Sequence, residues 1–228
     1  MLELMDLGCE RDDRTLFRHL SITLSPAELL QVEGGNGTGK TTLLKILAGL
    51  SNDYRGSIFW KGKPLSRDYA DFRLSSFYFG HKPAIKVELT PVENILWRSS
   101  LRNEHCNEQS IIEALKQVNL GGYEDTPCGH LSAGQHRRVA LADLSVSNAL
   151  LWILDEPFTA IDYHGIQWLE RLLAKHVTNK GMVIITSHQA LSDQVLSDLS
   201  GRVRKIRLDD YVPAESGNAH EDKEDVFL

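Results

Sequence analysis

The chain has 228 residues, enough for one domain with a full core. Its 42% apolar content is ordinary and excludes a low-complexity or collagen-like chain. The net charge of −6 comes from the last twenty residues; without residues 209–228 the chain has 24 basic and 24 acidic residues, so bulk charge gives no reason to expect nucleic acid.

Cys9, Cys106 and Cys128 are odd in number and far apart, which argues against a disulfide framework or a metal knuckle. They suit a reducing compartment. The first residues lack the basic-then-apolar pattern of a secretory signal. No apolar run approaches the length of a membrane span, so any membrane role is expected to come through a partner.

Residues 2–7 and 20–24 alternate as half-buried strands do. Residues 29–33 read as a strand leading into Gly34-Gly35-Asn36-Gly37-Thr38-Gly39-Lys40-Thr41-Thr42. Residues 41–48 read as the helix leading out, with Gly49 as its stop. Residues 57–60 and 76–79 are further short strands. From about 88 to 148 the texture is helical. Thr90-Pro91-Val92-Glu93 is a helix start, with Thr as N-cap, Pro at the first position and Glu closing a capping box. Residues 110–118 place Ile111, Leu115 and Val118 on one face, and another helix begins near Ser132. Residues 150–154 form a continuous apolar run, the mark of a strand buried on both faces. A helix at 165–177, a strand at 182–185, a helix at 190–199 and a strand at 203–208 complete the α/β order. The polar, acidic end, residues 209–228, is expected to be disordered.

The segment 34–42 fits G-x-x-x-x-G-K-[ST], the phosphate-binding loop of a P-loop NTPase. Its glycines let successive N–H groups converge on one anion, and the helix N-terminus adds its dipole. A chance match in a chain of this length has a probability of about 1%. Lys40 would reach the β- and γ-phosphates of ATP, and the Thr41 hydroxyl would ligate Mg²⁺. The buried run ends in Asp155-Glu156-Pro157. An acid at the carboxyl end of a strand beside such a loop can hold Mg²⁺, which fits Asp155. Glu156, one residue further on, would be the general base for the attacking water. Ser132 and Gln135 stand in capping-box spacing, and Gly134 leaves the backbone bare, so this is a second anion-ready helix end. One γ-phosphate does not need two such cradles from one chain; two molecules head to tail would use both.

Leu131-Ser132-Ala133-Gly134-Gln135 resembles the LSGGQ signature of ATP-binding-cassette ATPases. The pattern of that family runs through residues 1–208 in order: phosphate loop, signature, Asp155-Glu156, then Asp162 and His188. The resemblance implies an ABC-type nucleotide-binding domain. That domain has a RecA-like parallel-sheet core, a small antiparallel β part and a helical subdomain at about 88–148. It implies an ATP-sandwich homodimer with two composite sites. Asp162 resembles the residue of the loop that links the two sites, and His188 the switch histidine at the γ-phosphate. Two departures stand out. The family usually places Gln near residue 79 to help Mg²⁺ and to couple to the membrane partner, and His81 occupies or adjoins that place. Many members stack adenine on an early aromatic, and Arg11 occupies about that place; Arg can also stack on a base.

Gly80-His81, Lys86-x-Glu88-Leu89-Thr90, the run Arg137-Arg138-Val139-Ala140-Leu141-Ala142 and residues 151–162 resemble the ATP-binding subunits of bacterial haem exporters for cytochrome c maturation. That resemblance implies integral-membrane partner subunits, an indirect link to a haem chaperone, and a peripheral position on the cytoplasmic face of the inner membrane. No C-x-x-C-H site is present, so no haem is expected on this chain. The alternatives are an ATPase subunit for another small substrate, a soluble cassette ATPase acting on DNA or ribosomes, and a non-hydrolysing module. Neutral charge, a single cassette and the absence of sustained heptads oppose the soluble class; Lys40 and Glu156 oppose the non-hydrolysing one.

Overall fold

A computed structural model describes residues 1–12 and 14–212. The remainder of the expected acidic tail, residues 213–228, lies outside the described residues. Asp209 and Asp210 belong to a short 3-10 turn, Leu208–Tyr211, anchored by fully buried Leu208.

Two sheets form the framework. The first is antiparallel and holds β1 (Leu2–Arg11), β2 (Arg14–Leu24), β4 (Arg55–Trp60) and the two-residue β5 (Lys63–Pro64), in the order β2-β1-β4-β5. The second is parallel: β3 (Leu29–Glu33), β6 (Ser76–Phe79), β7 (Leu151–Asp155), β8 (Met182–Thr186) and β9 (Val203–Arg207) run in the order β6-β7-β8-β3-β9. β7 and β8 are buried at every position, as expected for parallel strands covered on both faces.

The period-two alternation of these strands divides the core. Trp152 and Leu154 of β7, with Val183 and Ile185 of β8, face one apolar cluster. Leu151 and Ile153, with Met182 and Ile184, face the other. The first cluster is closed by α3 (Pro91–Leu101), α4 (Glu108–Gln117), α5 (Ala133–Val146) and α6 (Tyr163–Thr178). The second is closed by α1 (Lys40–Leu47) and the antiparallel sheet. α1 is thereby held between the sheets with its N-terminus at the carboxyl ends of β3 and β7.

One helix lies outside the expected set, and another is shorter than expected. α2 (Tyr69–Ser75) was not expected; it seals the antiparallel sheet through Phe72, which meets Trp60 edge-on with ring centres 5.5 Å apart. α7 (Asp193–Asp198) is shorter than the expected 190–199, because Ser187 and Gln189 exchange hydrogen bonds in a turn and Ser192 caps the helix. The capping boxes expected at Thr90 and Ser132 are both formed.

Among α3–α5 a buried ion network fixes the packing. Asp143 of α5 receives Arg98 Nε at 2.5 Å and Arg102 Nη2 at 2.7 Å, both from α3 and its end. Asn94, fully buried on α3, accepts from Lys86 N–H and donates to the carbonyls of Lys86, Leu89 and Thr90. The chain before α5 joins the same knot: Cys128 N–H donates to Leu89 and Gly129 N–H to Val87.

Candidate functional site

The phosphate-binding loop leaves β3 and turns into α1 at Gly39, whose φ of 97° is left-handed. A side chain there would also press on Leu16, with its Cβ 3.0 Å from that of Leu16, so this position is doubly restricted to glycine. No side chain caps α1, and its first turn holds no acid. Its first N–H groups and its dipole are therefore available to an anion. Lys40 is 8% exposed, and its Nζ donates to the carbonyls of Gly34 at 2.7 Å and Gly35 at 2.8 Å. Thr38 Oγ1 donates to Gly35 at 2.9 Å, tightening the same turn.

The carboxyl end of β7 lies opposite. Asp155 is 1% exposed. Its Oδ1 accepts from Thr41 Oγ1 at 3.2 Å and from Thr186 Oγ1 at 2.9 Å, while its Oδ2 is buried without a partner. A buried carboxylate with an unused oxygen beside a threonine hydroxyl is a hard-oxygen donor set that suits Mg²⁺. Among the described residues no three His, Cys, Asp or Glu side chains converge on a metal-sized point. Burial, reinforced by the Asp155 charge, pushes the nearby Tyr78 phenol up to about 12 and keeps it neutral.

Glu156 follows with φ of 50°, a left-handed conformation rare outside glycine. Its N–H donates to Thr186 Oγ1 at 3.0 Å, its carbonyl accepts from Arg137, and its Oε1 lies 3.5 Å from His188 Nε2. A backbone turn held at both its N–H and its carbonyl thus leaves the carboxylate beside the histidine.

These groups share one pocket of about 450 Å³, which holds Asn36, Gly37, Gly39, Lys40, Thr41, Thr42, Asp155, Glu156 and His188. Arg11 and Leu16 form its outer wall from the antiparallel sheet. Arg11 is exposed and pairs weakly with Asp12 at 3.7 Å, leaving its guanidinium face open to a base. Gly34 and Gly35 line a neighbouring cavity with Gln31 and Asp209 instead. His81 is not brought to Thr41 and Asp155 in the way the sequence suggested. Its side chain is exposed and outside the pocket; the part that reaches the site is its carbonyl, which accepts from Arg137 at 3.2 Å.

Ser132, Gly134 and Gln135 lie outside the pocket as well. Ser132 Oγ accepts from Gln135 N–H at 3.2 Å and Gln135 Oε1 from Ser132 N–H at 2.8 Å. Among the described residues a Cβ on Gly134 would meet only Ser132 Oγ at 4.0 Å, so none of them requires glycine there. Asp162 caps α6, its Oδ1 accepting from Gly165 N–H at 2.8 Å, while Oδ2 pairs with Arg138 at 2.9 Å. Arg137, Arg138 and Thr186 were not assigned roles from sequence. The only trace of the first two was a pair of arginines directly after the signature-like segment.

The sequence profile of the family described as ABC transporter matches residues 17–159. The chain belongs to the ABC transporter family. An ABC transporter relative from Vibrio vulnificus is 47% identical over 92% of this chain and 100% of its own, and is named cytochrome c biogenesis ATP-binding export protein CcmA. Proteins of the same name from Hahella chejuensis and Yersinia pestis are 48% and 49% identical, each over 91% of this chain, and are covered over 95% and 93% of their own lengths. Among solved structures, a putative ABC transporter ATP-binding protein from Pyrococcus furiosus superposes with a TM-score of 0.77, at 26% identity, over 93% of this chain and 99% of its own. A dimeric bacterial ABC transporter cassette shares the fold at a TM-score of 0.76 and 18% identity, over 91% of this chain and 95% of its own. As an ABC protein with an intact phosphate-binding loop, the chain is an ATP-binding ATPase. Among the described residues no helix is long and apolar enough to cross a membrane.

Proposed function

We propose that the chain is the ATP-hydrolysing subunit of an export complex serving cytochrome c biogenesis, powering haem export or the release of a haem-loaded chaperone. The observation that carries this reading is identity of 47% along the full length of a relative named for that process. The pocket contents support the chemical half of it.

In this mechanism the uncapped start of α1 and Lys40 take the β- and γ-phosphates of ATP. Thr41 and Asp155 would hold Mg²⁺, which when bound would neutralise developing phosphate charge. Glu156 accepts a proton from the attacking water, and His188 meets the γ-phosphate beside it. Arg11 flanks the base. Ser132, Gly134 and Gln135 serve the nucleotide of a second copy, since they lie outside this chain's own pocket while Gly134 leaves its helix end open. Asp162 joins the two sites of that homodimer through Arg138.

The membrane partners would dock at a groove of about 960 Å³ between α2, the segment after β6 and α3. Leu50 and Leu101 stand 61% and 63% exposed at its rim, with Trp97 under the Lys86 ammonium at 3.9 Å. A cytoplasmic helix of an integral-membrane subunit offers the apolar face such a groove takes. The chain would then sit peripherally on the cytoplasmic face of the inner membrane, with no nucleic-acid partner.

The test is a haem stain for c-type cytochromes in cells whose only copy carries Glu156→Gln. Loss of mature cytochromes with normal haem synthesis is expected. Unchanged cytochromes would remove the haem assignment and leave a transport ATPase for another substrate.

A further inference from the structure

Arg137 is 5% exposed, yet its two hydrogen-bond partners are both main-chain carbonyls. One belongs to His81, after β6; the other belongs to Glu156, after β7. Its Nε is buried without a partner. Its guanidinium lies 4.9 Å from the Phe79 ring centre, which fixes its plane. Burial lowers its pKa, and the charges of Asp155 and Glu156 oppose that shift, so it lies within electrostatic reach of both acids.

A buried arginine that spends its fork on carbonyls and leaves one N–H unused is a poor device for stability alone; an apolar residue of similar size would cost less. Its placement has a different logic. Arg137 sits one turn into α5, the helix that begins with Ser132. The Glu156 turn is left-handed and needs an outside hold. The chain that follows His81 is tied to the turn just before α5, its Val87 and Leu89 carbonyls accepting from Gly129 and Cys128. One planar fork therefore ties α5, the His81 loop and the Glu156 turn together.

We infer that Arg137 is a positioning residue for hydrolysis: its guanidinium sets the Glu156 turn according to where α5 and the His81 loop stand. This rests on the reading of Glu156 as general base. A lysine keeps the charge but lacks the planar fork that meets these two carbonyls through separate nitrogens. The loop it holds continues into residues 82–86, which line the groove assigned above to a membrane partner. A shift of that loop thus has a short mechanical path to the carboxylate.

The experiment measures steady-state ATP hydrolysis and ATP binding by the full chain in four forms: Arg137→Gln, Arg137→Lys, Glu156→Gln and the Arg137→Gln/Glu156→Gln double variant. For Arg137→Gln the expected result is a kcat lower by about tenfold to a hundredfold with KM and ATP affinity within about twofold. Arg137→Lys should recover part of kcat. In the double variant Arg137→Gln should lower the residual rate no further than Glu156→Gln does alone, because both act through one group. Should Arg137→Gln fail to fold, the kcat-against-KM split of Arg137→Lys decides. A normal kcat in both arginine variants, a loss confined to KM, or additive losses in the double variant would overturn the inference. Near-normal turnover of Glu156→Gln alone would overturn the base assignment instead.

Discussion

Thr186 Oγ1 donates to Asp155 Oδ1 at 2.9 Å across the β7–β8 pair, and the same hydroxyl accepts the N–H of Glu156 at 3.0 Å. A single hydroxyl from the neighbouring strand thereby sets both acids of the site. It orients the Asp155 carboxylate and anchors the left-handed turn after it. The strand register that places Asp155 opposite Thr186 is what makes this possible.

Thr186→Val keeps the shape of this side chain and removes the hydroxyl. Two buried groups then lose a partner, and a loss of about 1–3 kcal/mol in stability is expected. With Glu156 less firmly held, kcat should fall about tenfold or more while ATP affinity changes little. Chemical denaturation and steady-state hydrolysis check both; unchanged kcat would show that the hydroxyl serves packing only.

Gly134 separates folding from function. Among the described residues none occupies the space a side chain would take there. An Asp at the second residue of α5 complements the helix dipole, so Gly134→Asp should fold at least as stably as the parent. If this helix end faces the phosphates of a second copy, hydrolysis should fall by about a hundredfold or more, with ATP affinity of the isolated chain retained. Retained hydrolysis would remove residues 132–135 from the composite site.

His176 gives the fold a pH dependence. It stacks on Trp152 at 3.7 Å and donates to the Leu150 carbonyl at 3.3 Å. Burial lowers its pKa from 6.5 to about 4. Between these values the unfolded chain binds the extra proton, so stability falls as pH drops below about 6.5 and levels off below about 4. The loss attributable to this side chain between pH 7 and pH 5 is about 2 kcal/mol. Urea midpoints across that range should be flatter in His176→Phe. An equal slope in both proteins would assign the dependence to other groups.

Asp143 is the anchor of the α3–α5 packing. Asp143→Ala leaves the Arg98 and Arg102 guanidiniums, both largely buried, without their shared carboxylate. A cost of about 3–5 kcal/mol is expected. Thermal unfolding measures it, and a shift of only a degree or two would mean that the two arginines find water or Glu104 instead.

The parts of this protein visible in its sequence are those with local causes. The phosphate-binding loop, the capping boxes at Thr90 and Ser132, and the buried strands read at 29–33 and 182–185 each follow from a few consecutive residues. β1 was expected to end at residue 7, because a bulge between Met5 and Gly8, with Asp6 at φ 51°, breaks its alternation. α2 escaped because only Phe72 of its seven residues is buried, too little to make a periodic stripe. The sequence set His81 at or beside the place of the usual Gln, but position says nothing about which way a loop side chain turns, and here it lies outside the pocket. Arg137 was illegible for a stronger reason. Its meaning depends on carbonyls at residues 81 and 156, and only the packing of α5 against β6 and β7 brings those together.

The most direct test of the central claim is made on purified Glu156→Gln with Mg-ATP, measuring turnover and sedimentation together. ATP should bind, hydrolysis should fall at least a hundredfold, and the chain should sediment as a dimer that the parent forms only transiently. A monomer that hydrolyses ATP at near-parent rate would contradict both the base assignment and the composite site.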